Sequence, residues 1–98
     1  MPISEGLRVL ENKHCMGILL ALRDGPHTRT ELYEMVSRNP RMPDKISNLM
    51  GIGLITIVKT DRRADSISLT EKGSRVAELI GMIDGTIGSR GYQSLNNW

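Results

Sequence analysis

An α+β fold, with helices packed around one two-stranded hairpin, is what this chain of 98 residues predicts. Three features carry that expectation. Residues 54–73, LITIVKTDRRADSISLTEKG, contain two short β-branched stretches about a charged turn. Ile55, Ile57 and Val58 form the first, and in the second Ile67 and Leu69 alternate with Ser66, Ser68 and Thr70, as in a strand with one face buried and one wet. The rest of the chain repeats apolar residues at helical spacing, and a lone hairpin is marginal in water, so this one must lie against helices.

Leu7, Leu10, His14, Ile18 and Leu22 recur three and four apart, one helix face spanning residues 3–23. Asn12-Lys13-His14 divides it into a short leading helix and a second helix from about Cys15. The segment CMGILLAL is apolar on most sides, which predicts the central, most buried helix. Asp24-Gly25-Pro26 stops it. Thr28-Arg29-Thr30-Glu31 has the spacing of a capping box, opening a helix with Leu32, Met35 and Val36 inward and an end near Ser37. Met42, Ile46, Leu49 and Met50 mark the next helix. Its start is open between a cap at Asn39 with Pro40 first and a start at Pro43. Gly51 and Gly53 close it. Thr70 is placed to cap a last helix running to about Asp84 on a stripe of Val76, Leu79, Ile80 and Ile83, with Ile87 beyond it. The domain is expected over residues 1–84, followed by a Gly-rich extension over 85–98 that forms no regular element.

Apolar residues make up 39% of the chain, with no Phe, so Leu, Ile, Val and the six Met must fill the core. The longest apolar run, Ile18 to Leu22, is too short to span a membrane, and a secretory signal is not apparent. One cysteine rules out an internal disulfide framework and suits a reducing cytoplasm. Net charge is +2, but it is unevenly spread. Between Arg38 and Arg63 lie six basic and two acidic residues, a local +4, against seven basic and nine acidic elsewhere.

The order of elements, with ILLALRDGPHTRTEL, NLMGIGLI and SLTEKG, resembles the winged helix-turn-helix regulators of the MarR, PadR and HxlR types from bacteria and archaea. The first run resembles their helix, Gly-Pro turn and second helix. The second resembles the Leu-x-x-x-Gly-Leu close of the recognition helix. The third, a hydrophobic residue then Thr-x-x-Gly, resembles the step from wing strand to last helix. The leading Cys-Pro pair of many HxlR-type proteins is absent. The resemblance implies a three-helix core, a two-stranded wing and an additional C-terminal helix. It also implies double-stranded DNA as partner, the recognition helix in the major groove and the wing on the backbone or minor groove.

Arg41, Asp44, Lys45 and Asn48 share the face opposite Met42, Ile46 and Leu49. Arg or Lys suits guanine acceptors, Asn suits adenine, and Asp44 can accept from a cytosine amino group or orient Arg41. Arg38, Lys59, Arg62 and Arg63 add positive charge for phosphate or a narrow minor groove, though charged hairpin tips also serve solubility. Thr28, Arg29 and Thr30 can donate to phosphate at a helix start, although capping alone accounts for Thr28. Leu7, Leu10, Leu79, Ile80, Ile83 and Ile87 are the expected two-fold interface of a homodimer, unless the Gly-rich tail covers that stripe within one subunit. One Cys and two His without repeated spacing make a poor metal set, so no metal and no cofactor is expected. Nothing resembles a phosphate loop, a catalytic triad or a carboxylate pair, so catalysis is not expected. Two classes remain: a sequence-specific DNA-binding transcriptional regulator, and a winged helix used for protein–protein contact in a larger assembly.

Overall fold

The computed structural model describes residues 3–59 and 65–88; the hairpin tip with Arg62 and Arg63, and most of the Gly-rich tail, lie outside the described residues. Helix α1 (Glu5–Glu11) is capped by Ser4, whose Oγ accepts from the Leu7 amide at 3.1 Å. The expected break follows. His14 has φ 74°, a left-handed conformation unusual for a residue with a side chain, and α2 (Cys15–Ala21) begins beside it. A short 3₁₀ turn (Leu22–Asp24) ends at Gly25, where φ is 139° and a glycine is needed.

Helix α2 is central as expected, with Cys15, Ile18 and Leu19 fully buried. Around it lie α3 (Arg29–Met35), α4 (Met42–Gly51) and α5 (Glu71–Ile87). Leu22, Leu32, Met42, Ile46, Leu49, Leu54, Ile55, Ile67, Ala77 and Ile80 complete the core, and aliphatic side chains with Met42 fill the space that phenylalanine often takes. The α4 start falls between the two alternatives. The Met42 amide donates to the Asn39 carbonyl at 2.9 Å, closing a turn with Pro40 at its second position, and Asn39 Oδ1 accepts from the Arg41 amide at 2.8 Å. The helix then starts at Met42. Pro43 sits in the first turn, where its missing N–H costs no helical bond.

The α4 end is a Schellman motif. The Gly53 amide donates to the Met50 carbonyl (3.0 Å) and the Leu54 amide to Leu49 (3.1 Å), with Gly53 at φ 79° and Leu49 and Leu54 both buried.

The sheet has three strands, not the two expected. Strand β1 (His27–Thr28), only two residues long, pairs with β3 (Ser66–Leu69), which also pairs with β2 (Ile55–Val58), giving the antiparallel order β1-β3-β2. Ile55 and Ile67 are buried, but Ile57 and Val58 are 39% and 37% exposed. Ile57 lies opposite Ile67 in register. It is on the edge strand, whereas buried Ile67 is on the central one, so the expected burial of the β2 face stops at Ile55.

Helix α5 also runs further than expected, through Gly85 to Ile87, and stops at Gly88 with φ 76°. Gly73, Ala77 and Ile80 turn inward. Ile80, 7% exposed, thus belongs to the chain's own core and not to the open side, which corrects its place in the expected interface. Leu79, Met82, Ile83 and Ile87 are 52–72% exposed along the other side.

Candidate nucleic-acid interface

Helix α4 is two-sided. Met42, Ile46 and Leu49 are fully buried, while Arg41, Asp44 and Asn48 are exposed. Lys45 is only half-exposed, at the flank of the face, near enough to Cys15 to oppose the upward shift that burial imposes on that thiol. Burial has the larger effect, so Cys15 stays protonated and packs as a small core residue. Ser47 is exposed one turn after Asp44, next to Asn48, and joins the same face. Ser47 was not among the expected residues, and its place three positions after Asp44 is the sequence signal that puts it on this face.

The residues flanking α4 come from the turn before it and from α3. Arg38 is exposed just ahead of that turn and shares a cleft of about 370 Å³ with Thr30, Tyr33, Glu34, Asn39, Pro40 and Pro43. At the start of α3 the capping box is present in full. Thr28 Oγ1 accepts from the Glu31 amide at 3.1 Å, and Glu31 Oε1 accepts from the Thr28 amide at 2.8 Å. That backbone hydrogen bond from Thr28, with a smaller contribution from His27, holds the Glu31 carboxyl below the ordinary glutamate range. His27 Nδ1 lies 3.5 Å from Glu31 Oε1, while its Nε2 is buried without a hydrogen-bond partner. The Thr28 hydroxyl is therefore engaged in capping, while Thr30 is exposed and Arg29 half-exposed. At the base of the wing Lys59 Nζ meets Asp65 Oδ2 at 3.0 Å, an exposed pair worth at most about 1 kcal/mol that ties the two strands just below the tip.

Behind the face, the first turn of α5 grips the segment leaving α4. Lys72 Nζ donates to the Ile52 carbonyl (3.1 Å), Thr70 Oγ1 to Gly53 (2.6 Å), and the Thr70 amide to Leu54 (3.0 Å). Thr70 Oγ1 also accepts from the Gly73 amide at 2.9 Å. Three consecutive carbonyls are thus held by the Thr-x-x-Gly stretch. Gly73 packs directly on the Leu54 backbone, where a β-carbon would lie 2.7 Å from the carbonyl carbon and closer still to its oxygen.

The expected residues come from the start of α3, from α4 and the loop before it, and from the wing base. Arg38, Arg41, Asp44 and Asn48 are exposed on α4 and the loop before it, as is Ser47, while Lys45 is half-exposed. Lys59 stands apart at the wing base, and Arg62 and Arg63 fall outside the described residues. Among the described residues no group of three His, Cys, Asp or Glu side chains is placed to hold a metal ion, and no helix is long and apolar enough to cross a membrane.

No protein-family model and no curated protein matches the chain. Solved structures do. A Salmonella typhimurium protein described as a transcriptional regulator, ytfH, superposes with a TM-score of 0.75 at 24% identity, covering 95% of this chain and 87% of its own. The transcriptional repressor BigR of Xylella fastidiosa gives 0.71 at 17% identity, over 84% and 82% of the two chains. A Porphyromonas gingivalis protein described as a MarR-family transcriptional regulator gives 0.73 at 21% identity, over 91% and 97%. With its helix-turn-helix, its wing and its closing helix in the same arrangement over nearly the whole length, this chain has the winged helix-turn-helix fold of those regulators.

Proposed function

We propose that the protein is a sequence-specific DNA-binding transcriptional regulator. The observation that carries this reading is the two-sided α4. One side is locked into the core by Met42, Ile46 and Leu49, and the other offers Arg41, Asp44, Ser47 and Asn48 to solvent, with Arg38 alongside. A rigid helix with a mixed donor and acceptor face is what base edges in a major groove require. Arg38, Arg29, Thr30 and Lys59 supply phosphate contacts around it, joined by Arg62 and Arg63 from the wing. The exposed row of Leu79, Met82, Ile83 and Ile87, with Leu7 and Leu10 of α1, serves a two-fold dimer in the cytoplasm. A dimer doubles a modest phosphate-binding charge and presents two α4 helices to neighbouring major-groove faces.

The test is a titration of a labelled random duplex across salt concentrations, followed by a site selected from a random pool. Binding should weaken with a log–log salt slope of several units, near one per phosphate contact. Arg41→Ala and Asn48→Ala should relax base preference, each costing about 1–3 kcal/mol at the selected site. Arg62→Ala with Arg63→Ala should weaken selected and random duplexes alike. No binding at low salt would overturn the reading and leave the face to a protein partner.

A further inference from the structure

Lysine in the first turn of a helix sits at the positive end of the macrodipole, the less favourable end for a cation. Lys72 is the second residue of α5, so its own helix gives it no reason to be there. Its ammonium reaches out of α5 to the Ile52 carbonyl at 3.1 Å. Ile52 is the residue that caps α4, and there a cation meets the negative end of the α4 dipole and a carbonyl free of any helical partner. The Schellman bonds satisfy the carbonyls of Leu49 and Met50, and Thr70 holds those of Gly53 and Leu54. Ile52 is left to Lys72.

We infer that Lys72 is a positioning residue for α4, fixing the pose of the helix end from the neighbouring α5. The inference rests on the DNA-binding reading for its functional consequence, and on the Lys72–Ile52 bond for its structural one. A side chain acting this way controls how well α4 distinguishes sequences more than how strongly the protein holds any duplex, because a tilt of the reading helix misplaces directional bonds to base edges while phosphate contacts follow. Thr70 and Gly73 belong to the same grip, but their loss also damages the α5 cap and its close approach to Leu54. Lys72 is exposed and can be changed without opening the core.

The experiment compares wild type, Lys72→Met and Lys72→Arg by amide hydrogen exchange resolved by NMR and by binding to selected and random duplexes. Methionine keeps most of the stem and removes charge and donor; arginine keeps both. In Lys72→Met the amides of Ile52, Gly53 and Leu54 should exchange about fivefold faster, the equivalent of one ordinary hydrogen bond. Affinity for the selected site should fall by a similar factor while random-duplex affinity stays within about twofold, and Lys72→Arg should restore both readouts. Unchanged exchange at those amides overturns the inference. So does an equal loss on both duplexes, which would make Lys72 a phosphate contact, or a failure of arginine to rescue. If wild type binds no duplex, the DNA reading falls on its own, and the exchange arm still decides whether Lys72 holds the end of α4.

Discussion

Replacing Gly73 with alanine separates two physical effects of opposite sign. Glycine inside a helix is unfavourable by about 1 kcal/mol relative to alanine, so propensity alone predicts that Gly73→Ala stabilises. The structure predicts the reverse. A β-carbon at Gly73 would overlap the Leu54 carbonyl, which is backbone and cannot rotate away. Relief requires the first turn of α5 to move off the segment leaving α4. That movement stretches the bonds from Lys72 to Ile52, from Thr70 Oγ1 to Gly53 and from the Thr70 amide to Leu54. At about 1 kcal/mol each, three bonds outweigh the propensity gain and leave a net loss of ~2 kcal/mol. For a domain of this size that lowers Tm by about 8–16 °C. The control is Gly85→Ala, also within α5, where nothing lies within 4 Å of the added carbon and φ is not positive. It should raise Tm by about 4–8 °C, the value of propensity without a clash. Thermal melts and urea midpoints of both variants by far-ultraviolet circular dichroism decide the matter. If Gly73→Ala melts at or above wild type, α5 does not sit against Leu54 and the account of the Thr-x-x-Gly step is wrong.

The remaining predictions concern Glu31, Cys15 and the open side of α5. The folded-state pKa of Glu31 lies below its unfolded value, so its contribution to stability is complete above the ordinary glutamate pKa of about 4.3 and disappears as pH falls through the lower folded value. The stability gap between wild type and Glu31→Gln should therefore persist down to about pH 5 and close in stronger acid, as denaturant midpoints would show. Cys15, buried and protonated, should react with a disulfide reagent only as fast as the protein unfolds; rapid reaction of the native state would contradict its place in the core. Ile83→Asp, at a position 59% exposed in the single chain, should leave Tm of the monomer nearly unchanged and abolish a dimer in sedimentation. A wild type that sediments as a monomer of 10.9 kDa at micromolar concentration would remove the dimer from the proposal.

Much of the fold was legible because local chemistry and tertiary structure agree. The break at Asn12-Lys13-His14 is written in adjacent residues, and the capping box at Thr28 and Glu31 and the cap at Thr70 in residues three positions apart. Strand β1 was not legible, since two residues show no period and His27 and Thr28 are defined as a strand only by their partners Ile67 and Ser66. The end of α5 is not legible for a related reason. Gly85 has the intrinsic preferences of a stop, yet the backbone there remains helical and the left-handed turn comes three residues later at Gly88. On α4 the polar face lies opposite the apolar one as expected, but an idealised helix wheel does not show that Lys45 is half-exposed while Ser47 is bare. Ile80 was assigned outward because the stripe on α5 is wide. The chain uses its two edges differently, Ala77 and Ile80 inward and Leu79 and Ile83 outward.

The two-residue strand β1 has a consequence for how the molecule comes into being. His27 pairs with Ile67 and Thr28 with Ser66, so a residue from the early part of the chain must find one some forty positions later before the sheet is complete. The strand receiving it, β3, lies in the middle of the sheet, and Ile67 on it is a core residue. Closing so long a loop costs conformational entropy that helical contacts, formed nearby in sequence, do not incur. The helices can therefore gather early, but the sheet is finished late. A chain cut after α4 would have no β3 to pair with His27 and no β2 beyond it, and the core around Leu32, Ile46 and Leu49 would lack Leu54, Ile55 and Ile67. The helix-turn-helix and the wing are thus one cooperative unit, and neither should be expected to fold when expressed without the other.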